Sequence, residues 1–94
     1  MEEDGLQVIK SEKNNNALAM LGLMPGVRKE VIRNLNYRNY VSGPDTDRDV
    51  PGQVIWVFGA FYEGTEFYVK LVLSGEAKCL SFHFPEYKMI YPFV

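Results

Sequence analysis

Three residues whose side chains could act together on a phosphodiester are Tyr68, Lys70 and His83. His83 is the only histidine of the chain, and an imidazole can give or take a proton near neutral pH. A lysine supplies positive charge where negative charge develops, and a tyrosine can donate a hydrogen bond to phosphate or stack on a base. Metal-free RNA cleavage needs a base for the 2′-hydroxyl, an acid for the leaving 5′-oxygen and a cation for the phosphate. We therefore treat these residues as candidate catalytic groups.

The elements that must position these residues lie between residues 53 and 84. This stretch predicts an antiparallel meander of about three strands of ordinary length. Glu63-Gly64 indicates a tight turn after the first strand, because glycine adopts positive φ at no steric cost. A looser turn is expected over residues 74–77.

The two turns determine which residues of neighbouring strands lie opposite each other. Tyr62 is expected opposite Thr65 across the first turn, and Leu73 opposite Lys78 across the second. The pairs that follow are Phe58 with Val69, Trp56 with Leu71, Leu71 with Leu80, and Val69 with Phe82. Because directly paired residues share a face, one face becomes uniformly apolar and is the predicted core. Its members are Val54, Trp56, Phe58, Phe67, Val69, Leu71, Leu73, Leu80 and Phe82.

The opposite face of the predicted sheet carries the candidate catalytic residues. Its members are Ile55, Val57, Gly59, Tyr68, Lys70, Val72, Cys79, Ser81 and His83. On this face Tyr68 is expected opposite His83, and Lys70 opposite Ser81. A lone histidine near a strand end is often structural, and a cross-strand Tyr–His pair also stabilises a sheet. Spacing alone therefore leaves a structural role open.

Two short helices are predicted before the sheet. The first runs through residues 17–21, capped by one of residues 14–16 and ended by Gly22. The second runs from Val27 to Leu35, because its apolar residues follow a period of 3.6. Residues 36–41 could add another helical turn.

The remaining segments are predicted to lack regular structure. Residues 1–16 are expected to be a flexible N-terminal segment, and residues 42–52 a loop rich in Gly, Pro and Asp. The loop begins like a calcium loop but lacks its glycine and distal glutamate, so no metal site is predicted. Its three aspartates are Asp45, Asp47 and Asp49. The apolar C-terminal tail, residues 85–94, is expected to cover part of the second face or an edge of the sheet.

Length and composition favour a single α+β domain over residues 1–94. The expected fold is two short N-terminal helices packed on one face of an antiparallel meander of about three to four strands. The single cysteine excludes an internal disulfide, and no apolar run approaches the roughly 20 residues of a membrane span. A soluble cytoplasmic protein without membrane contact is therefore expected. The net charge of −2 argues against broad nucleic-acid binding but allows a local basic site.

An ordered set of short motifs resembles the MqsR branch of the type II toxin proteins, which have a RelE-like fold. In chain order the motifs are Gly-Pro-Asp-x-Asp-Arg-Asp, Trp-Val-Phe-Gly, Tyr-Val-Lys-Leu, Ser-Phe-His and Tyr-Pro. The similarity extends from about Ala17 to the end of the chain. It implies an mRNA-cleaving endoribonuclease of a toxin–antitoxin system in stress responses. Such an enzyme needs no cofactor or metal and is held inactive by a cognate antitoxin.

The resemblance also implies roles for individual positions. Tyr68 and Lys70 match a tyrosine and a lysine on one strand of the family, and His83 stands where the family has a lysine. Ser42 replaces another family lysine, and Val57 replaces a glutamine. The candidate substrate-binding residues are Arg38, Arg48, Ser81 and Lys88.

A second function stays open because of the departures at Ser42 and Val57. It is a catalytically inactive toxin-like module that binds a protein partner through an apolar surface of Ile55, Val57 and Val72. A metal-dependent enzyme built on the three aspartates is a more distant option. The oligomeric state, a homodimer included, is open as well.

Overall fold

A computed structural model of the chain describes residues 7–8, 19–24, 26–48, 50–73 and 77–94, with only the backbone described for residues 7–8. The fold is α+β, as predicted. Its strands are β1 (Gln7–Val8), β2 (Tyr40–Thr46), β3 (Val54–Tyr62), β4 (Thr65–Val72) and β5 (Lys78–His83). Helix α1 spans Val27–Arg33, residues 19–21 are also helical, and a 3-10 helix spans Tyr37–Asn39.

The strands form one sheet in the order β1-β5-β4-β3-β2. Strands β2 to β5 pair antiparallel and give a four-stranded meander, the upper end of the predicted number. Strand β1 adds a parallel strand of two residues beside β5, which the sequence did not predict. Apart from Gln7 and Val8, the predicted flexible segment of residues 1–16 lies outside the described residues, and so does the predicted helix cap.

The hairpin of β3 and β4 has the predicted register. Tyr62 pairs with Thr65, and all the predicted pairs further along the two strands are present. Glu63 and Gly64 form the turn with φ angles of 49° and 82°. Positive φ at both central positions is typical of a type I′ turn, whose twist matches that of the strands it joins.

The pairing of β4 with β5 confirms the predicted arrangement at one end of the two strands. Tyr68 lies opposite His83, and Lys70 lies opposite Ser81. The candidate catalytic residues therefore share one face of the sheet, as expected. Most of the predicted second turn, residues 74–76, lies outside the described residues.

The other end of β5 departs from the prediction because of a bulge. After Lys70 the register shifts, and Leu71 faces Cys79. Leu80 becomes the additional residue of the bulge, so its predicted pairing with Leu71 is wrong. The same shift turns Cys79 to the core face, where it is fully buried rather than on the second face. Leu73 lies beyond the end of β4 and does not pair with Lys78.

The core combines one face of the sheet with residues of α1. The buried cluster consists of Val31, Ala60, Phe67, Val69, Leu71, Cys79 and Phe82. The ring centroids of Phe67 and Phe82 lie 4.8 Å apart at its centre. Val27 and Ile32 of α1 pack against the cluster, as their helical spacing predicts. Two residues of the predicted core, Val54 and Leu73, are instead exposed, because both lie at a strand limit beyond this cluster.

Strand β2 corrects the prediction of a loop over residues 42–52. It is an edge strand, and such a strand tolerates Pro44, which has no N–H to donate. The register of its pairing with β3 shifts between Ser42 and Asp45. Gly43 and Pro44 lie at this irregularity of the strand. Gly43 has a φ of 114° and lies so close to β3 that a side chain would collide with its backbone.

The C-terminal tail covers the second face of the sheet, as predicted. Met89 is buried, and the Tyr91 ring lies so close to Gly59 that any side chain at residue 59 would overlap it. The Tyr91 hydroxyl donates a hydrogen bond to the carboxylate of Glu66. The tail is therefore positioned by close packing of Tyr91 on Gly59 of β3 and by its hydrogen bond to Glu66 of β4.

The apolar surface expected from Ile55, Val57 and Val72 is not exposed. Val57 and Val72 are buried, and Ile55 is half-buried. These side chains therefore cannot form the docking surface that the interaction-module hypothesis required.

Candidate functional site

Tyr68 and His83 form a stacked pair on the second face of the sheet. Their ring centroids are 5.1 Å apart, and the rings are inclined by 13°. His83 is the last residue of β5 and is only 9% exposed. Cross-strand pairing and ring stacking together fix its side chain on the sheet.

The protonation of the His83 ring follows from its hydrogen bond. Nδ1 lies 2.8 Å from the backbone carbonyl oxygen of Phe84. A carbonyl oxygen only accepts, so Nδ1 must carry the hydrogen, and in the neutral ring Nε2 then holds the lone pair. Within the described part of the chain Nε2 has no hydrogen-bond partner. With respect to the described residues, this nitrogen can take a proton from a ligand.

The Tyr68 hydroxyl is held in its protonated form. Burial raises its pKa above 10.0, and the hydrogen bond with Tyr87 and the charge of Glu86 raise it further. Tyr68 can therefore donate a hydrogen bond, whereas a role as a phenolate base is disfavoured.

Tyr68 and His83 line a cleft together with Glu86 and Tyr87 of the tail, which we call the aromatic cleft. Its volume is about 160 Å³. The rings of Tyr68 and Tyr87 meet edge to face, 6.0 Å apart and inclined by 64°. The sheet and the tail together thus build a small site with aromatic walls and one carboxylate.

A second, larger cleft lies around Lys70, and we call it the cationic cleft. Its volume is about 320 Å³, and its lining residues are Thr46, Asp47, Arg48, Ile55 and Lys70. Among the described residues, Arg48 and Lys70 form no ion pair or hydrogen bond. The Asp47 carboxylate accepts a hydrogen bond of 2.8 Å from the Gln53 amide, and backbone pairing between the same residues closes the loop. The cleft therefore presents two cationic side chains.

The two clefts are neighbours on the sheet. Tyr68 and Lys70 are alternate residues of β4 and project from the same face. Two residues of a strand span roughly 7 Å, so a single small ligand could contact both clefts.

The remaining predicted substrate-binding residues separate into two groups. Arg48 lines the cationic cleft, and Ser81 pairs with Lys70 on the sheet but lines neither cleft. Arg38 is exposed on the 3-10 helix, where its Nε donates a hydrogen bond of 3.2 Å to the Tyr37 hydroxyl. Lys88 is exposed on the tail. Neither Arg38 nor Lys88 lines either cleft.

Five of the described lining residues were not predicted as site residues: Thr46, Asp47, Ile55, Glu86 and Tyr87. Asp47 and Ile55 had been considered only for a metal site and for a docking surface. Tyr87 and Glu86 belong to an aperiodic tail, so no spacing rule places them beside β4 and β5. Thr46 ends a strand that was predicted as loop. The only available signal was the apolar character of the tail, which predicted that it covers this face but not which side chain reaches the site.

The positions that the family resemblance singles out lie in neighbouring rows of the sheet. Ser42 pairs with Val57, Val57 pairs with Lys70, and Lys70 pairs with Ser81. In the next row on the same face Tyr68 pairs with His83. Side chains on four different strands are thus brought to one region of the sheet.

Two other chemistries lack a matching arrangement here. Cys79 is buried in the core, and burial raises the pKa of its thiol from 9.0 to about 12, which makes it a poor nucleophile. In the described part of the chain, which lacks Asp49, no three His, Cys, Asp or Glu side chains are grouped to hold a metal ion. No helix of that part has the length and apolar character to cross a bilayer.

Comparisons with known proteins give no relative. None of the family models, curated proteins or solved structures matches this chain.

Proposed function

We propose that this protein is a metal-independent endoribonuclease that cleaves mRNA and acts in the cytoplasm as the toxin of a type II toxin–antitoxin pair. The observation that carries the proposal is the oriented His83 imidazole, stacked on Tyr68 one step along the sheet from Lys70. Oriented imidazoles with one nitrogen engaged and one available are suited to proton transfer.

In the proposed reaction the 2′-oxygen of the RNA attacks the adjacent phosphorus. His83 Nε2 takes the 2′-hydroxyl proton, and Lys70 stabilises the negative charge that develops on the phosphate. The bond from phosphorus to the 5′-oxygen breaks, and the protonated Tyr68 hydroxyl donates its proton to that leaving oxygen. The products are a 2′,3′-cyclic phosphate and a 5′-hydroxyl, and solvent restores both side chains.

The arrangement of the family positions supports a RelE-like, MqsR-type assignment. Ser42, Val57, Tyr68, Lys70 and His83 come from four strands yet occupy adjacent rows. Ser42 and Val57 lack the functional groups of the family lysine and glutamine. In this proposal Arg48, which shares the cationic cleft with Lys70, supplies the additional positive charge.

The proposal is tested by expressing wild-type protein and the His83→Asn variant, each with and without the adjacent partner gene. Wild type alone is expected to arrest growth with loss of total mRNA, and the partner is expected to restore growth. Arrest that persists in the combined Tyr68→Ala, Lys70→Ala, His83→Ala variant would contradict the assignment of the site.

The second candidate function is a catalytically inactive toxin-like module that binds a protein partner. One observation favours it: the tail and β3 expose Phe61, Ile90 and Phe93, each more than half accessible. This module would form a stable complex with its partner while the pure protein leaves RNA intact. Degradation of a model RNA by pure protein would exclude it.

A further inference from the structure

The aromatic cleft suits a flat, unsaturated ring. It is lined by the stacked rings of Tyr68 and His83 and by Tyr87, which is 52% exposed and so retains surface for a ligand. Its volume of about 160 Å³ is below the range of roughly 300–1,000 Å³ for drug-sized ligands, so it admits a single ring system. Proteins bind unpaired nucleobases by stacking them on such side chains.

The cationic cleft suits a phosphate. Arg48 and Lys70 supply two positive charges, and the Thr46 hydroxyl supplies a further hydrogen-bond donor. The Asp47 carboxylate, the one that lines the cleft among the described residues, accepts a hydrogen bond from Gln53. The separation of roughly 7 Å between same-face residues of β4 lets one nucleotide reach both clefts.

We infer that the C-terminal tail completes a nucleotide-binding site, in which the aromatic cleft holds a base against Tyr87 and the cationic cleft holds the phosphate. The inference rests on the proposed function in taking RNA as the ligand, and it adds Tyr87 and Thr46 as binding residues. A basic side chain of a protein partner is the competing occupant of the aromatic cleft. The Glu86 carboxylate in the wall of the aromatic cleft attracts such a cation. The neighbouring charges of Lys70 and Arg48 repel it and attract the phosphate of a nucleotide, and this second effect favours the nucleotide as occupant.

The test uses the full chain and nucleoside 3′-monophosphates, with binding followed by two-dimensional NMR. The nucleotide is expected to shift resonances of both clefts. The nucleoside alone is expected to shift those around Tyr87, and inorganic phosphate those around Arg48. Shifts confined to other surfaces, or binding of a basic peptide but no nucleotide in the aromatic cleft, would overturn the inference.

Substitution of Tyr87 tests the stacking role directly. Tyr87→Ala is expected to weaken nucleotide binding roughly 5- to 150-fold, the usual cost of losing one stacked base. Tyr87→Phe keeps the ring and is expected to bind nearly as wild type. Tyr37→Ala is the matched control, because Tyr37 is 63% exposed and lines neither cleft. Equal affinity of Tyr87→Ala and wild type would overturn the inference.

The same variants separate this inference from the proposed function. In one outcome, Tyr87→Ala cleaves RNA and binds the nucleotide as wild type does, whereas His83→Asn loses cleavage. This result would overturn the inference and support the ribonuclease. Nucleotide binding that depends on Tyr87, in a protein that leaves RNA intact, would support the binding site and contradict the ribonuclease.

Discussion

At the scale of single residues, His83 is the side chain whose surroundings matter most. Its stacking on Tyr68 could serve the sheet alone, but the bond from Nδ1 to the Phe84 carbonyl selects one tautomer and leaves Nε2 for a ligand. The same reasoning assigns Tyr68 as a donor, because its raised pKa keeps the hydroxyl protonated.

Cys79 is predicted to be chemically inert in the folded protein. Its pKa of about 12, against 9.0 for an ordinary thiol, lowers the thiolate fraction roughly a thousandfold near neutral pH. Alkylation by iodoacetamide at about pH 8 should therefore be at least roughly 100-fold slower in native than in guanidinium-unfolded protein. Similar rates in the two states would show that the bulge does not bury this residue.

Stability is predicted to fall at alkaline pH. Folding raises the pKa of Cys79 above 9.0 and those of Tyr68 and Tyr91 above 10.0. A raised folded-state pKa means that the folded state holds the proton more tightly. Each such group contributes its full stabilisation below the pKa that it has in the unfolded chain. This stabilisation is lost as the pH rises through the pKa that the group has in the folded protein. The free energy of unfolding in urea should therefore decline from about pH 9 upwards.

The variant Cys79→Ala separates these contributions. It should lose the part of the decline that begins near pH 9 and keep the tyrosine part that begins near pH 10. An unfolding free energy that stays constant from pH 8 to 11 in wild type would contradict the account.

At the scale of elements, the hairpin of β3 and β4 could be predicted completely, whereas β2 and half of β5 could not. The hairpin has a local turn signal and a two-residue apolar period, and these agree on a single register. The bulge at Leu80 has no local signal, because its leucine fits the regular pattern as well as the bulged one. Strand β2 was predicted as a loop because Gly43 and Pro44 are typical turn residues. An irregular edge strand also accommodates them, and β2 is such a strand.

Half of the candidate site was predictable for the same reason. Tyr68, Lys70, Ser81 and His83 follow from strand register, which the sequence encodes locally. Tyr87 and Thr46 reach the site through the path of the tail and the end of an edge strand, and both depend on contacts between distant parts of the chain.

The tail is predicted to depend on the absence of a side chain at Gly59. A methyl group there would overlap the Tyr91 ring, so Gly59→Ala should displace the tail and cost about 1–3 kcal/mol in the free energy of unfolding. Gly26→Ala is the control, because, apart from its neighbours along the chain, no atom of the described residues lies within 4 Å of a side-chain carbon at residue 26. In a Tyr91→Ala background the cost of Gly59→Ala should largely vanish, since the two residues share one contact. Additive costs in the double variant would contradict this packing.

At the scale of the whole molecule, the net charge of −2 means that the electrostatic part of RNA affinity is expected to come from the local cations of the cationic cleft. Two phosphate contacts predict a shallow salt dependence, with a slope of about −1.4 in log affinity against log salt for single strands. Arg48→Gln should reduce the slope to about −0.7. Arg33→Gln, the control on an exposed part of α1, should leave it unchanged. A steep slope, or equal slopes in the two variants, would place the RNA elsewhere.

The most direct test of the central claim is cleavage of an end-labelled RNA by pure protein in a chelating buffer. Wild type should produce fragments with 2′,3′-cyclic phosphate ends. His83→Asn should stay folded, because its amide can still donate to the Phe84 carbonyl, although it loses the ring that stacks on Tyr68. It should lose at least about 100-fold in cleavage rate. A folded His83→Asn variant that cleaves as fast as wild type, or a wild type that leaves the RNA intact, would contradict the account.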